Sequence, residues 1–256
     1  MNRFGILCLS LVASAGFSCS AHAAIIVHDT FTRTGALIGS TADSGQSWTG
    51  TAPISNANGS KLAVSGTSGS FATISGLTFQ PNSIYNLSVE VSLTAGGNEW
   101  LGIGFSRPTS LNATSNTNGF FLRRHNPQVE TRVTGSSSTA QSFAVANTFP
   151  SKLEVILVTG ATLSDSLLSW ELNDSAVRAN EPVNVTGING IFLANVTPFI
   201  GPAVVGTYDD LLLTVEPVPE PGTATLLALG AAALVGYRQR NRRRRLGPGR
   251  ASEDAD

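Results

Sequence analysis

From residue 24 onward the apolar positions fall in short runs of period two, rich in β-branched and aromatic side chains and punctuated by Gly, Asn, Ser and Thr. The clearest run is residues 84–93, where Tyr85, Leu87, Val89, Val91 and Leu93 alternate with Asn86, Ser88, Glu90 and Ser92. That alternation predicts a strand with one buried and one wet face. Further strands are expected near residues 25–27, 61–65, 70–75, 100–105, 119–124, 128–133, 141–146, 152–158, 167–172, 191–194 and 211–215. Gly66-Thr67-Ser68-Gly69 reads as a hairpin loop between the second and third of these, and Ala95-Gly96-Gly97-Asn98 as a turn. The body contains no long helical period and no βαβ alternation. The pattern is therefore all-β, an antiparallel β-sandwich or jelly roll, and the absence of an internal repeat counts against a solenoid or propeller.

The two ends break this pattern. Arg3, an apolar stretch over residues 4–17 and the small-x-small site Ala21-His22-Ala23 form a secretory signal peptide, residues 1–23, with cleavage expected before Ala24 by signal peptidase after passage through the Sec translocon. Cys19 follows Gly16-Phe17-Ser18, a poor lipobox because of the Phe. At the other end Val218, Pro219, Glu220 and Pro221 predict an extended, accessible segment, because each proline fixes its own φ and disfavours the α region before it. Leu226, Leu227, Leu229, Leu234 and Val235, spaced by Ala and Gly, then predict an apolar helix of about 15 residues, roughly 22 Å long, a single short transmembrane helix. Arg238, Arg240, Arg242, Arg243, Arg244 and Arg245 would hold its C-terminal end in the cytoplasm.

This hinge, apolar run and arginine cluster resemble the PEP-CTERM sorting signal of Gram-negative bacteria. The resemblance implies recognition by an exosortase, transient anchoring in the inner membrane, and export to the outer surface or an exopolysaccharide-rich matrix. The same kind of tail is also labelled an ice-binding protein C-terminal domain, although the regular Thr-x-Thr ladders of ice-binding solenoids are missing here. The expected organisation is a signal peptide at 1–23, a sandwich domain at 24–217, the sorting signal at 218–245 and a disordered tail at 246–256.

Cys8 and Cys19 both precede Ala24, so the mature body has no cysteine and its stability must come from packing. Over residues 24–218 eight basic side chains face thirteen acidic ones, a net charge of −5 that the arginine-rich tail masks in the whole-chain value of −1. A mildly acidic surface with sparse lysine argues against nucleic-acid binding.

Asp29-Thr30-Phe31-Thr32-Arg33, Ser44-Gly45-Gln46-Ser47-Trp48 and Tyr208-Asp209-Asp210-Leu211-Leu212-Leu213 resemble the first and last strands of concanavalin A-like or laminin G-like jelly rolls. The resemblance implies that the two ends pair in one sheet, bringing Asp29 near Asp209 and Asp210, which become candidate ligands for a structural calcium ion; no other cofactor is expected. That fold serves lectins, hydrolases and adhesive modules alike. Sugar binding needs an aromatic face and polar partners, and Trp100, beside Glu99 and Asn98, is the better candidate, with Arg123 and Arg124 available for acidic glycans. Trp48 is a second candidate, although a tryptophan in a sandwich more often packs in the core, as Trp170 is expected to.

Catalytic signals are weaker. No Glu-x-Asp-x-x-Glu run occurs, the nearest being Glu171-Leu172-Asn173-Asp174, and the body has only His28 and His125 and no Gly-x-Ser-x-Gly elbow. The expectation is an exported, non-catalytic surface or matrix protein that binds polysaccharide. The alternative is a glycan hydrolase or lyase on the same fold, acting through Glu90, Glu99 or Glu171.

Overall fold

The computed structural model describes residues 23–50, 55–64, 70–93, 100–107, 117–123, 127–133, 140–146, 148–196 and 206–218, with Leu234 and Tyr237 beyond them. The chain divides into two compact units, residues 21–218 and residues 1–20 with 219–256. In the second unit only Leu234 and Tyr237 are described, both helical and exposed. Among the described residues no helix is long and apolar enough to cross a membrane, and the expected span at 223–235 lies outside them apart from Leu234. The signal peptide, the expected tail at 246–256, Pro219, Glu220, Pro221 and the arginine cluster also lie outside the described residues.

Sixteen strands lie in the described part of the first unit. In chain order they are β1 (Ala24–Asp29), β2 (Thr34–Ala36), β3 (Thr49–Gly50), β4 (Ser55–Asn58), β5 (Leu62–Val64), β6 (Ser70–Ser75), β7 (Ser83–Leu93) and β8 (Trp100–Ser106). They continue as β9 (Thr117–Arg123), β10 (Gln128–Arg132), β11 (Ala140–Ala144), β12 (Ser151–Val158), β13 (Ser166–Leu172), β14 (Ser175–Val183), β15 (Gly190–Val196) and β16 (Gly206–Pro217). One sheet has nine strands in the order β14-β13-β12-β7-β16-β5-β4-β2, with β1 also on β16; the other has seven, β11-β10-β9-β8-β15-β6-β3. All named strand pairings are antiparallel, as the alternation predicts.

The inner faces of the two sheets make one core. β7 places Tyr85, Leu87, Val89, Val91 and Leu93 inward as expected, meeting Leu101, Ile103 and Phe105 of β8 and Phe120 and Leu122 of β9. Three polar ties cross this core. The buried Tyr208 hydroxyl accepts from Gly102 N–H at 2.8 Å and lies 2.6 Å from the Ala194 carbonyl, to which it donates. Trp170 Nε1 donates to the Gly119 carbonyl at 3.1 Å, and Arg178 donates to Thr131 Oγ1 at 3.2 Å.

Two expectations are corrected by the pairing. The hairpin between residues 61–65 and 70–75 does not form: β5 pairs with β4 and β16 in one sheet, and β6 with β3 and β15 in the other. The link at 65–69 therefore crosses between sheets, and its residues lie outside the described ones. β1 and β16 do lie side by side, with Asp29 the partner of Leu211, yet the three aspartates are not gathered. Asp29 is fully buried on the inner side, while Asp210, at a bulge between Asp209 and Leu212, is exposed and paired with His28 at 3.3 Å. Asp209 pairs with Lys61 at 3.5 Å, and among the described residues no group of three His, Cys, Asp or Glu side chains is placed to hold a metal.

The strand directions give the sandwich two distinct ends. At the terminal end β16 finishes, Pro217 partnering Ser83, and β1 begins, Ala24 partnering Val215. At the far end Leu93 of β7 partners Gly206 of β16, and Trp100 of β8 partners Val196 of β15.

Candidate functional site

The outer face of the seven-stranded sheet is a grid fixed by antiparallel register. Along β8 the inward residues Leu101, Ile103 and Phe105 leave Trp100, Gly102, Gly104 and Ser106 for the other side, because side chains alternate across a strand. Gly102 is the partner of Phe121 on β9 and of Ala194 on β15, and Gly104 is the partner of Gly119 and Phe192. The glycines let rings lie down on the sheet: a Cβ at Gly104 would stand 2.7 Å from Gly119 Cα and 2.8 Å from the Phe192 ring. Phe71, Phe121, Phe192 and Ala194 form a second apolar cluster, separate from the core, with Trp100 packed at its border. Adjacent ring centroids are 6.2 Å apart for both Phe71–Phe192 and Phe121–Phe192.

The members of this cluster are buried, so a ligand cannot stack on them directly. The accessible part is the strip beside it. Trp100 is half-buried at the far end, and its register partner on β9 is Arg123, which is in turn the partner of Gln128 on β10. Along β10 follow Glu130 and Arg132, each half-buried, the guanidinium paired with the Glu130 carboxylate and its carbon 4.7 Å from the Phe121 ring centroid. Across β10 the partners of Gln128 and Glu130 on β11 are Ala144 and Ser142, both exposed. An indole, an amide, a guanidinium–carboxylate pair and a hydroxyl thus lie on one face of adjoining strands. Such a set can cover a sugar ring and hydrogen-bond its hydroxyls without a deep pocket.

Of the residues expected to bind glycan, Trp100 and Arg123 are thus brought together as neighbours, while Asn98, Glu99 and Arg124 lie outside the described residues. Trp48 is not a surface residue. It is buried, its Nε1 donating to Asp29 at 2.7 Å, and Asp29 also holds Arg33 through two bonds of 2.6 and 2.8 Å and the Phe31 N–H at 2.9 Å. That carboxylate is spent on folding the first loop, where Phe31 has a φ of 52°. Gln128, Glu130 and Arg132 were not singled out by sequence, although their alternation with Val129 and Thr131 marks them as one face.

The glutamates of the catalytic alternative sit elsewhere. Glu90 is exposed on the outer face of the nine-stranded sheet beside Lys152 and Asp209, and Glu171 partners Glu154 on that sheet. Glu99 lies outside the described residues. Glu154 is buried, held by Asn86 and by Lys152 at 2.9 Å, and this contact raises the Lys152 ammonium above its ordinary range. A groove of about 430 Å³ opens at the sandwich edge between Phe143 and Val145 on one side and Leu172, Asn173 and Val177 on the other.

Comparison with known proteins adds the tail and the fold. Residues 217–245 match the PEP-CTERM protein-sorting motif. The tail marks the chain as an exported, exosortase-sorted protein of a Gram-negative cell envelope. No curated protein matches the chain. The fold is similar to the endo-1,3-β-glucanase of Streptomyces sioyaensis, with 10% identity, a TM-score of 0.50, and 75% of this chain and 96% of that one covered. It is similar to the endo-1,3-β-glucanase (laminarinase) catalytic domain of Thermotoga petrophila RKU-1, with 8% identity, a TM-score of 0.50, and 76% and 98% covered. It is also similar to the CBM2 module of the evolved Dit of Lactobacillus casei BL23 phage J-1, with 10% identity, a TM-score of 0.51, and 78% and 98% covered. The body is thus an all-β sandwich of the concanavalin A-like, jelly-roll kind.

Proposed function

We propose that this protein is a non-catalytic polysaccharide-binding component of the extracellular surface or matrix, delivered there by its sorting tail. The observation that carries the reading is the strip on the outer face of the seven-stranded sheet, where half-buried Trp100 adjoins Gln128 and the Glu130–Arg132 pair. Glu130 is engaged by a guanidinium, which favours a hydrogen-bonding role over proton transfer. The signal peptide supplies entry to the export route, and the segment at 223–235 holds the chain in the inner membrane until an exosortase acts.

The test is retention on insoluble polysaccharide, both the host's own exopolymer and a β-1,3-glucan, of protein recovered from the cell surface. Retention is expected for the native chain and is expected to fall at least tenfold for Trp100→Ala and for Arg132→Ala, with melting temperatures little changed for the former. Equal retention of native and Trp100→Ala protein overturns the assignment of the strip. The glucanase neighbours favour a second reading, a glycan hydrolase or lyase. It predicts release of reducing ends that Glu90→Gln, Glu99→Gln or Glu171→Gln abolishes without unfolding.

A further inference from the structure

The outer face of the nine-stranded sheet changes character along its strands. At the far end its register rows are charged: Glu171 partners Glu154, and Lys152 partners Glu90, which partners Asp209. At the terminal end the corresponding row is apolar across four strands, Pro182 partnering Leu167, Leu167 partnering Val158 and Val158 partnering Ile84, and it ends on β16 at Glu216, the partner of Ile84. Ile156 lies in the next row, which runs through Asn86 and Thr214 to Ile25 on β1. Leu167 and Ile25 are 37% and 62% exposed, and they are the exposed large hydrophobic residues among the described part of this unit. Such residues in adjoining rows at one end of a sheet leave apolar surface in water unless something covers it.

The chain itself indicates the cover. Val218 N–H donates to the Asn82 carbonyl at 3.0 Å, so the last strand is held in the sheet up to the edge of the sorting motif. Only residues 219–222 separate it from the apolar run that starts at 223, and four residues span at most about 14 Å. The terminal end is therefore tethered within that distance of any bilayer the run enters.

We propose that the terminal end of this outer face, Ile25, Ile84, Val158 and Leu167, is a membrane-contact surface that rests in the bilayer interface while the tail is attached. This rests on the reading of residues 223–235 as a membrane-crossing segment. The contact orients the sandwich with Trp100 at the end away from the membrane, and removal of the tail releases it.

The test uses the chain from Ala24 to Asp256, which has no cysteine of its own, with a single nitroxide-labelled cysteine, Leu167→Cys or Ile25→Cys, against Glu90→Cys as the far-end control. In vesicles of phosphatidylethanolamine and phosphatidylglycerol, the labels at 167 and 25 are expected to be several-fold less accessible to an aqueous nickel chelate than the label at 90. Ending the chain after Val218 is expected to abolish the difference. Equal accessibility in a chain that floats with the vesicles overturns the contact. A chain that does not float overturns it through the spanning segment on which it depends. Protection that persists after truncation points to a second copy of the chain as the cover and also overturns it.

Discussion

Tyr208 shows how much one side chain decides in this protein. It is one of three residues whose polar groups join the two sheets, and burial pushes its phenol far above the ordinary tyrosine range, so it stays a neutral donor and acceptor. Tyr208→Phe leaves the Gly102 N–H and the Ala194 carbonyl without this partner, and an expected loss of about 1–3 kcal/mol is measurable by denaturant unfolding. Glu181 carries a pH dependence of known sign. Arg178, 2.7 Å away, holds its carboxyl below the usual glutamate range. A lowered pKa contributes stability above the ordinary value and loses it as pH falls through the lowered one. Glu181→Gln is therefore expected to flatten the acid side of the melting-temperature profile below about pH 5 and to leave the neutral side lower than the native chain. Asp29 was legible in the sequence only as an acid at the start of the body and a candidate calcium ligand; that it would serve Arg33, Trp48 and Phe31 depended on a turn that the sequence does not announce.

Elements were legible where a single face is buried. β7 could be read residue by residue because its inward side is uniformly apolar and its outward side polar. β14 could not, because register shifts near Leu168, Trp170 and Glu171 break the two-residue period, and its Asn180 has a φ of 58°. Its Pro182 is tolerated because β14 is an edge strand. The link at 65–69 misled for a related reason: a Gly- and Ser-rich segment suits a tight turn and an inter-sheet crossing equally. The glycines of β8 are informative in the opposite sense. Gly104 has no room for a side chain, so Gly104→Ala is expected to cost about 1–3 kcal/mol by pushing Phe192 or β9 away, seen as a lower denaturant midpoint with an unchanged slope.

The whole molecule is a sandwich whose first and last strands meet. Ala24 partners Val215, so the point where the signal peptide is expected to leave and the start of the sorting motif lie together, with Trp100 at the opposite end. Fold class and destination were legible because they rest on local periodicity and on terminal signals. The strip was not, because its rows join β8 to β9, β9 to β10 and β10 to β11 in a register that no local pattern encodes. The same register makes the central claim directly observable. The chain has three tryptophans, of which Trp48 and Trp170 are buried in the core and Trp100 is half-exposed on the strip. The decisive measurement is tryptophan emission of the exported protein titrated with polysaccharide. A saturable blue shift that vanishes in Trp100→Phe is the predicted result. A protein that binds the polysaccharide with unchanged emission, or with the same shift in Trp100→Phe, would contradict the account.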